Sequence, residues 1–160
     1  MANAIQAIEL DATDRRILEL LAADSRLPNN RLASMLGIAP STCLARVKNL
    51  VDRDVIERFS IDVRAASIGL GLQALIGVSI RSGARHLITE FSASVQALPG
   101  VVQIFFLGGG EDFMIHLAVR DSDGVRDFVL EHLSANPAVA STRTSLIFEH
   151  RRLGFPTGSS

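Results

Sequence analysis

Ser41, Thr42, Ala45, Arg46 and Asn49 share a short stretch with Cys43, Val47 and Leu50, which repeat at i, i+4, i+7. The second set reads as the buried stripe of a helix and the first as its opposite face. The chemistry of that face is hydrogen bonding to a polynucleotide. Hydroxyls near a helix N-terminus can donate to phosphate oxygens or base edges, a guanidinium matches guanine, and a carboxamide matches adenine. Lys48 and Arg53 are better placed for the sugar–phosphate backbone, and Arg31 on the preceding helix is a further phosphate candidate. The competing reading is a solvated polar face on a small helical domain.

The elements around this face favour the polynucleotide reading. In NRLASMLGIAPSTCLARVKNL, Leu32, Ala33 and Leu36 recur at helical spacing and Gly37 stops that helix, as a residue free to take positive φ does. Ile38 and Ala39 make the turn. Pro40 then begins the next helix, where its missing N–H is not needed. The result is a helix-turn-helix, the geometry that presents a short helix to a DNA major groove. Ala39 stands where a capping hydroxyl would be better, at a cost of roughly 1 kcal/mol. Upstream, Asp11 can cap a first helix whose stripe is Ile17, Leu18 and Leu21, and Asn29 or Asn30 can cap the second. Downstream, DVIERFSIDV alternates in period two and predicts a short strand or wing. Cys43 reads as a small buried hydrophobe; a redox role is the alternative, with no second cysteine in the chain to resolve it.

The 160 residues suit one medium or two small domains, and 48% of them are hydrophobic. Lys and Arg number 16 against 17 Asp and Glu, so any DNA contact must come from a local patch rather than a generally basic surface. One cysteine excludes an internal disulfide and a cysteine metal cluster. There is no signal-peptide pattern and no apolar run of about 18–20 residues, so a cytoplasmic protein with no membrane partner is expected.

Residues 64–73, with the glycine-punctuated AASIGLGL, read as a hinge after a DNA-binding domain over 1–63. From 74 to 155 the order becomes strand, helix, strand, strand, helix, strand, and 156–160 form a tail. ALIGVSI, VVQIFFL, FMIHLAV and STRTSLIFEH are the strands. Leu87, Phe91, Val95 and Leu98 line the first helix; Ser122 or Asp123 caps a second with Val125, Phe128, Val129 and Leu133. This is the βαββαβ order of an α+β, ferredoxin-like domain. Its helices cover one sheet face. The other carries apolar residues, among them Leu75, Phe105, Leu107 and Met114, and predicts packing against a second copy. A two-fold dimer suits paired half-sites in DNA.

On these residues, above all LDATDRRILELLAADSRLPNNRLASMLGIAPSTCLARVKNLVDRDVI, the chain resembles the Lrp/AsnC family of leucine- and asparagine-responsive regulators over nearly its whole length. The resemblance implies a winged helix-turn-helix followed by a ligand-sensing βαββαβ module. It implies a sequence-specific DNA-binding transcriptional regulator, a homodimer that can assemble to tetramers or octamers, and an amino acid or related metabolite as effector. It implies no catalytic activity, metal or cofactor. In the family's effector region the loop between the second and third strands reads Gly-Asp-x-Asp. Here it is Gly109-Gly110-Glu111-Asp112, so Gly110 replaces the first Asp. The implied effector residues are Leu107, Gly108, Gly109 and Asp112, with Ser141, Thr142 and Thr144 at the start of the last strand. Glycine N–H groups could hold a carboxylate and Asp112 an α-amino group; a plain glycine hairpin is the alternative.

Two other functions compete. Sirohaem decarboxylases have a similar layout and use histidine and arginine around a tetrapyrrole. The four histidines here, His86, His116, His132 and His150, fall on separate elements without a metal-binding spacing, and a basic recognition helix has no use in such an enzyme. A nonspecific DNA-organising protein is the other, and the near-zero net charge weighs against it.

Overall fold

The computed structural model describes residues 8–151. Among these, the chain divides into two compact units, one running to Asp62 and the other from Val63 to Arg151.

The first unit holds α1 (Ala12–Ala23), α2 (Asn29–Leu36) and α3 (Pro40–Asp52). Asp11 caps α1, its Oδ1 accepting from the Asp14 N–H at 2.7 Å. Gly37 ends α2 in the left-handed conformation at φ 66°, and the Ile38 N–H returns to the Ala33 carbonyl. Pro40 is the first residue of α3. The expected asparagine cap on α2 is replaced by Pro28, which carries no capping side chain. Asn29 is instead inside the helix and its amide donates to the Pro40 carbonyl at 2.9 Å, tying the starts of α2 and α3 together. Ile17, Leu32, Ala33, Cys43 and Leu50 form the core, and burial pushes the Cys43 thiol pKa up.

The strand expected over DVIERFSIDV does not form. After α3 the N–H groups of Val55 and Ile56 both return to the Leu50 carbonyl, and residues 57–63 then form no ladder among the described residues. Alternation alone does not make a strand; it needs a neighbour to hydrogen-bond. Phe59, Ile61 and Val63, one side of that alternation, are exposed.

The second unit opens with a 3₁₀ turn, Ala65–Ile68, closed by Gly69 at φ 85°. Then come β1 (Leu72–Ile80), a 3₁₀ turn (Ser82–Leu87) leading into α4 (Ile88–Gln96), β2 (Val101–Phe106) and β3 (Phe113–Val119). Next is α5 (Ser122–Phe128), continued by a π-helical turn (Val129–Ser134), and last β4 (Val139–Ile147). The cap of α5 is Asp121, one residue before the expected position, accepting from the Gly124 N–H at 3.0 Å. The strand order is β2-β3-β1-β4 with every pair antiparallel, the order a βαββαβ chain requires. Ala74, Ile76, Val78, Phe113, Ile115 and Leu117 face the helices and pack on Phe91, Val95, Phe128 and Leu133. Register puts Leu75, Met114 and Phe105 together on the other face. His116 lies on that face too, buried, with Nε2 2.8 Å from the Gln73 Oε1.

Candidate nucleic-acid interface and effector loop

The burial pattern of α3 sorts its side chains. Cys43 and Leu50 are fully buried and Val47 is half-buried, while Ser41, Thr42, Leu44, Ala45, Lys48 and Asn49 are exposed. The expected outward face is therefore present, with Arg46 half-buried at its margin and engaged within the chain. The Arg46 Nη1 donates to Asp11 Oδ2 at 2.7 Å and to Asp14 Oδ1 at 2.8 Å, and Asp14 is itself 9% exposed. The residue lies three positions after Cys43 and four before Leu50, so helical geometry puts it at the margin of the buried stripe.

The contact fastens α3 across the N-terminal turn of α1. The Asp14 N–H bond to the Asp11 carboxylate, with the Arg46 guanidinium beside it, holds the Asp11 carboxyl below its usual range. Arg46 is correspondingly held charged by its bonds to Asp11 and Asp14.

Arg53 is also engaged: Nη1 donates to Asn49 Oδ1 at 3.1 Å and Nη2 to the Glu9 carbonyl at 3.2 Å. Both contacts are exposed and leave the guanidinium near the surface that Asn49 and Lys48 occupy. Arg31 is exposed on α2. Leu44, 60% exposed, was not singled out by the sequence pattern, although its position outside the Cys43–Val47–Leu50 stripe signals it.

In the second unit, the Leu107 N–H donates to the Asp112 carbonyl at 2.8 Å, closing an exposed loop of Gly108, Gly109 and Gly110. Space around all three glycines is open. Asp112 differs from expectation. Its Oδ2 accepts from the Ile80 N–H at 2.7 Å and its Oδ1 pairs with Arg85 at 3.1 Å, so both carboxylate oxygens already have partners. The three β4 residues do not act together either. Ser141 pairs with Ser79 on the open face, whereas Thr142 and Thr144 pair with Val78 and Ile76 on the helix-covered face. Thr144 lines a shallow cleft with Val125, Val129 and Leu146. Strand alternation separates them by necessity. Glu111, not singled out at the sequence level, lies over Gly77 with its Oε1 3.5 Å from Nη1 of Arg143.

Among the described residues no group of three or more metal-ligating side chains converges, and no helix is long and apolar enough to cross a membrane.

A helix-turn-helix with an outward polar face, joined to a βαββαβ unit, defines a DNA-binding regulator with a ligand-binding domain. Residues 10–57 match the winged helix-turn-helix DNA-binding family, and residues 73–153 match the Lrp/AsnC ligand binding domain family. The chain belongs to the Lrp/AsnC family of transcriptional regulators. It is 50% identical to the HTH-type transcriptional regulator AldR of Mycolicibacterium smegmatis, over 95% of this chain and 89% of that one. The crystal structure of AldR from Mycobacterium tuberculosis superposes with a TM-score of 0.80 at 46% identity, covering 94% of this chain and all of that one. A Neisseria meningitidis regulator, solved as a complex with L-methionine, superposes with a TM-score of 0.85 at 33% identity, covering 92% and 97%.

Proposed function

We propose that the chain acts in the cytoplasm as a homodimeric regulator, by binding rather than catalysis, and that an amino acid modulates its hold on DNA or its assembly. The observation that carries this reading is the division of α3 into a pinned side and a free polar side. Ser41 and Thr42, on the first turn, supply hydroxyls and helix-terminal N–H groups to phosphates or base edges. Lys48, Arg53 and Arg31 meet the backbone. Ala45 permits close approach, Asn49 reads adenine or a phosphate, and Leu44 offers apolar surface to a thymine methyl. Arg46 positions the helix instead of reading guanine.

The amino-acid part is supported by the ligand-binding domain match and by the methionine bound to the Neisseria relative. The open loop of Leu107, Gly108 and Gly109, with Ser141 beside β1, is the part of the second unit suited to a small ligand. Asp112 holds the loop in place through Ile80 and Arg85. The apolar sheet face of Leu75, Phe105 and Met114 supports pairing of two copies, with tetramers and octamers as assemblies of that dimer.

Selection from a random-sequence duplex pool, followed by fluorescence anisotropy with and without each amino acid, tests the reading. The expected result is an enriched two-fold-related site whose affinity or stoichiometry shifts with at least one amino acid. A pool that enriches no sequence contradicts it.

A further inference from the structure

The first turn of α3 carries Ser41 and Thr42, the hydroxyls offered to DNA, and it is the least anchored part of that helix. Ile38 before it and Cys43 after it reach the core. Ala39, Pro40, Ser41 and Thr42 between them are all exposed. Ala39 supplies no capping side chain, and Pro40 has no N–H to give. Packing therefore fixes α3 from Cys43 onward, and the Arg46 bonds to Asp11 and Asp14 fix its middle. Neither reaches the turn that holds the two hydroxyls.

Asn29 does. Its Nδ2 donates to the Pro40 carbonyl at 2.9 Å, the one side-chain hydrogen bond to residues 39–42 among the described residues. A carbonyl only accepts, so the amide must turn its NH2 toward α3, which settles the orientation of the side chain. Asn29 is itself the first residue of α2, three and four positions before the buried Leu32 and Ala33. Support therefore runs from the core through Leu32 and Ala33 to the start of α2, and across the Asn29 amide to the start of α3.

We propose that Asn29 is a positioning residue: it sets where Ser41 and Thr42 meet the duplex, and so sets base selectivity there without touching DNA. The inference rests on the free side of α3 being the face that reads DNA. A hydroxyl displaced by a fraction of an ångström loses much of a base contact, because hydrogen bonds weaken steeply with geometry. Attraction to phosphates carries no sequence information and does not depend on that placement. Loss of the Asn29 bond therefore falls on specific binding and spares nonspecific binding.

Fluorescence anisotropy of the full chain tests this, on the selected duplex, on a scrambled duplex of equal length and on single-base-pair variants of the selected site. Asn29→Ala weakens binding to the selected duplex by roughly three- to ten-fold, the equivalent of one neutral hydrogen bond. Affinity for the scrambled duplex and its salt slope stay at the wild-type values. The base pairs at which Asn29→Ala relaxes selectivity are those that Thr42→Ala relaxes. Thr42→Ala also costs less in the Asn29→Ala background than in wild type, because both changes act on one contact. The proposal is overturned, with the reading of α3 intact, if Asn29→Ala binds the selected duplex as wild type does or weakens both duplexes by the same factor. It is overturned likewise if the losses from Asn29→Ala and Thr42→Ala add in full, which makes Asn29 a DNA contact of its own. If Thr42→Ala changes nothing on the selected duplex, the reading of α3 falls and the proposal with it.

Discussion

The two units each place an arginine beside carboxylates, and the two arrangements are opposites. In the first, Arg46 makes contacts of 2.7 and 2.8 Å to two acids, one of them almost fully withdrawn from water. In the second, Arg143 stands 3.5 Å from a single acid and is mostly exposed. The closed arrangement consumes its charges in holding one helix against another, so the neighbouring face can be rigid. The open arrangement leaves charge available. A charged residue near a functional surface is therefore not automatically part of it; short contacts to a carboxylate withdrawn from water hold Arg46 in place, whereas the exposed contacts of Arg53 leave its guanidinium at the surface.

The rigidity of the first unit can be broken most severely at its core. Leu50→Ala empties a fully buried site and should cost about 2–5 kcal/mol, read by denaturant unfolding, with DNA binding lost along with the helical signal. Arg46→Met keeps the length of the side chain and removes the charge, leaving Asp14 poorly solvated without its cation. Its expected effect is a lowered melting temperature. Intrinsic contacts to bases would instead lower affinity with the melting temperature unchanged. Asp11→Ala removes both a helix cap and an ion pair and should lower the melting temperature by less than Arg46→Met does.

A smaller effect comes from pH. Because the Asp11 carboxyl is held below its ordinary range, its contribution is fully present above the unfolded pKa of about 3.8. It is lost as the pH falls through the lower, folded value. Asp11→Asn should therefore flatten the acid side of the stability profile below pH ~4, where the wild-type curve falls.

Much of this arrangement is legible in the sequence because it depends on local rules. Gly37 and Pro40 mark the turn by their backbone preferences, and the alternating and helical runs after Gln73 give the βαββαβ order. What is not legible depends on partners distant along the chain. The role of Arg46 is set by acids 35 and 32 residues away, and only its spacing from Cys43 and Leu50 hints that it turns inward. The missing strand after α3 fails for want of a neighbour, which periodicity cannot supply. Glu111 escapes notice because its place is defined by an absent side chain on another strand, Gly77. Thr142 and Thr144 are separated from Ser141 by alternation that is plain once the register is known.

The central claim is that the free side of α3, and not Arg46, meets DNA. Anisotropy titrations of Thr42→Ala and Lys48→Ala on the selected duplex, across a salt series, test it most directly. Thr42→Ala should weaken binding by about 1 kcal/mol, and Lys48→Ala should reduce the slope of log affinity against log salt by about 0.9, both with unchanged melting temperature. Wild-type affinity and salt slope in both variants would contradict the account.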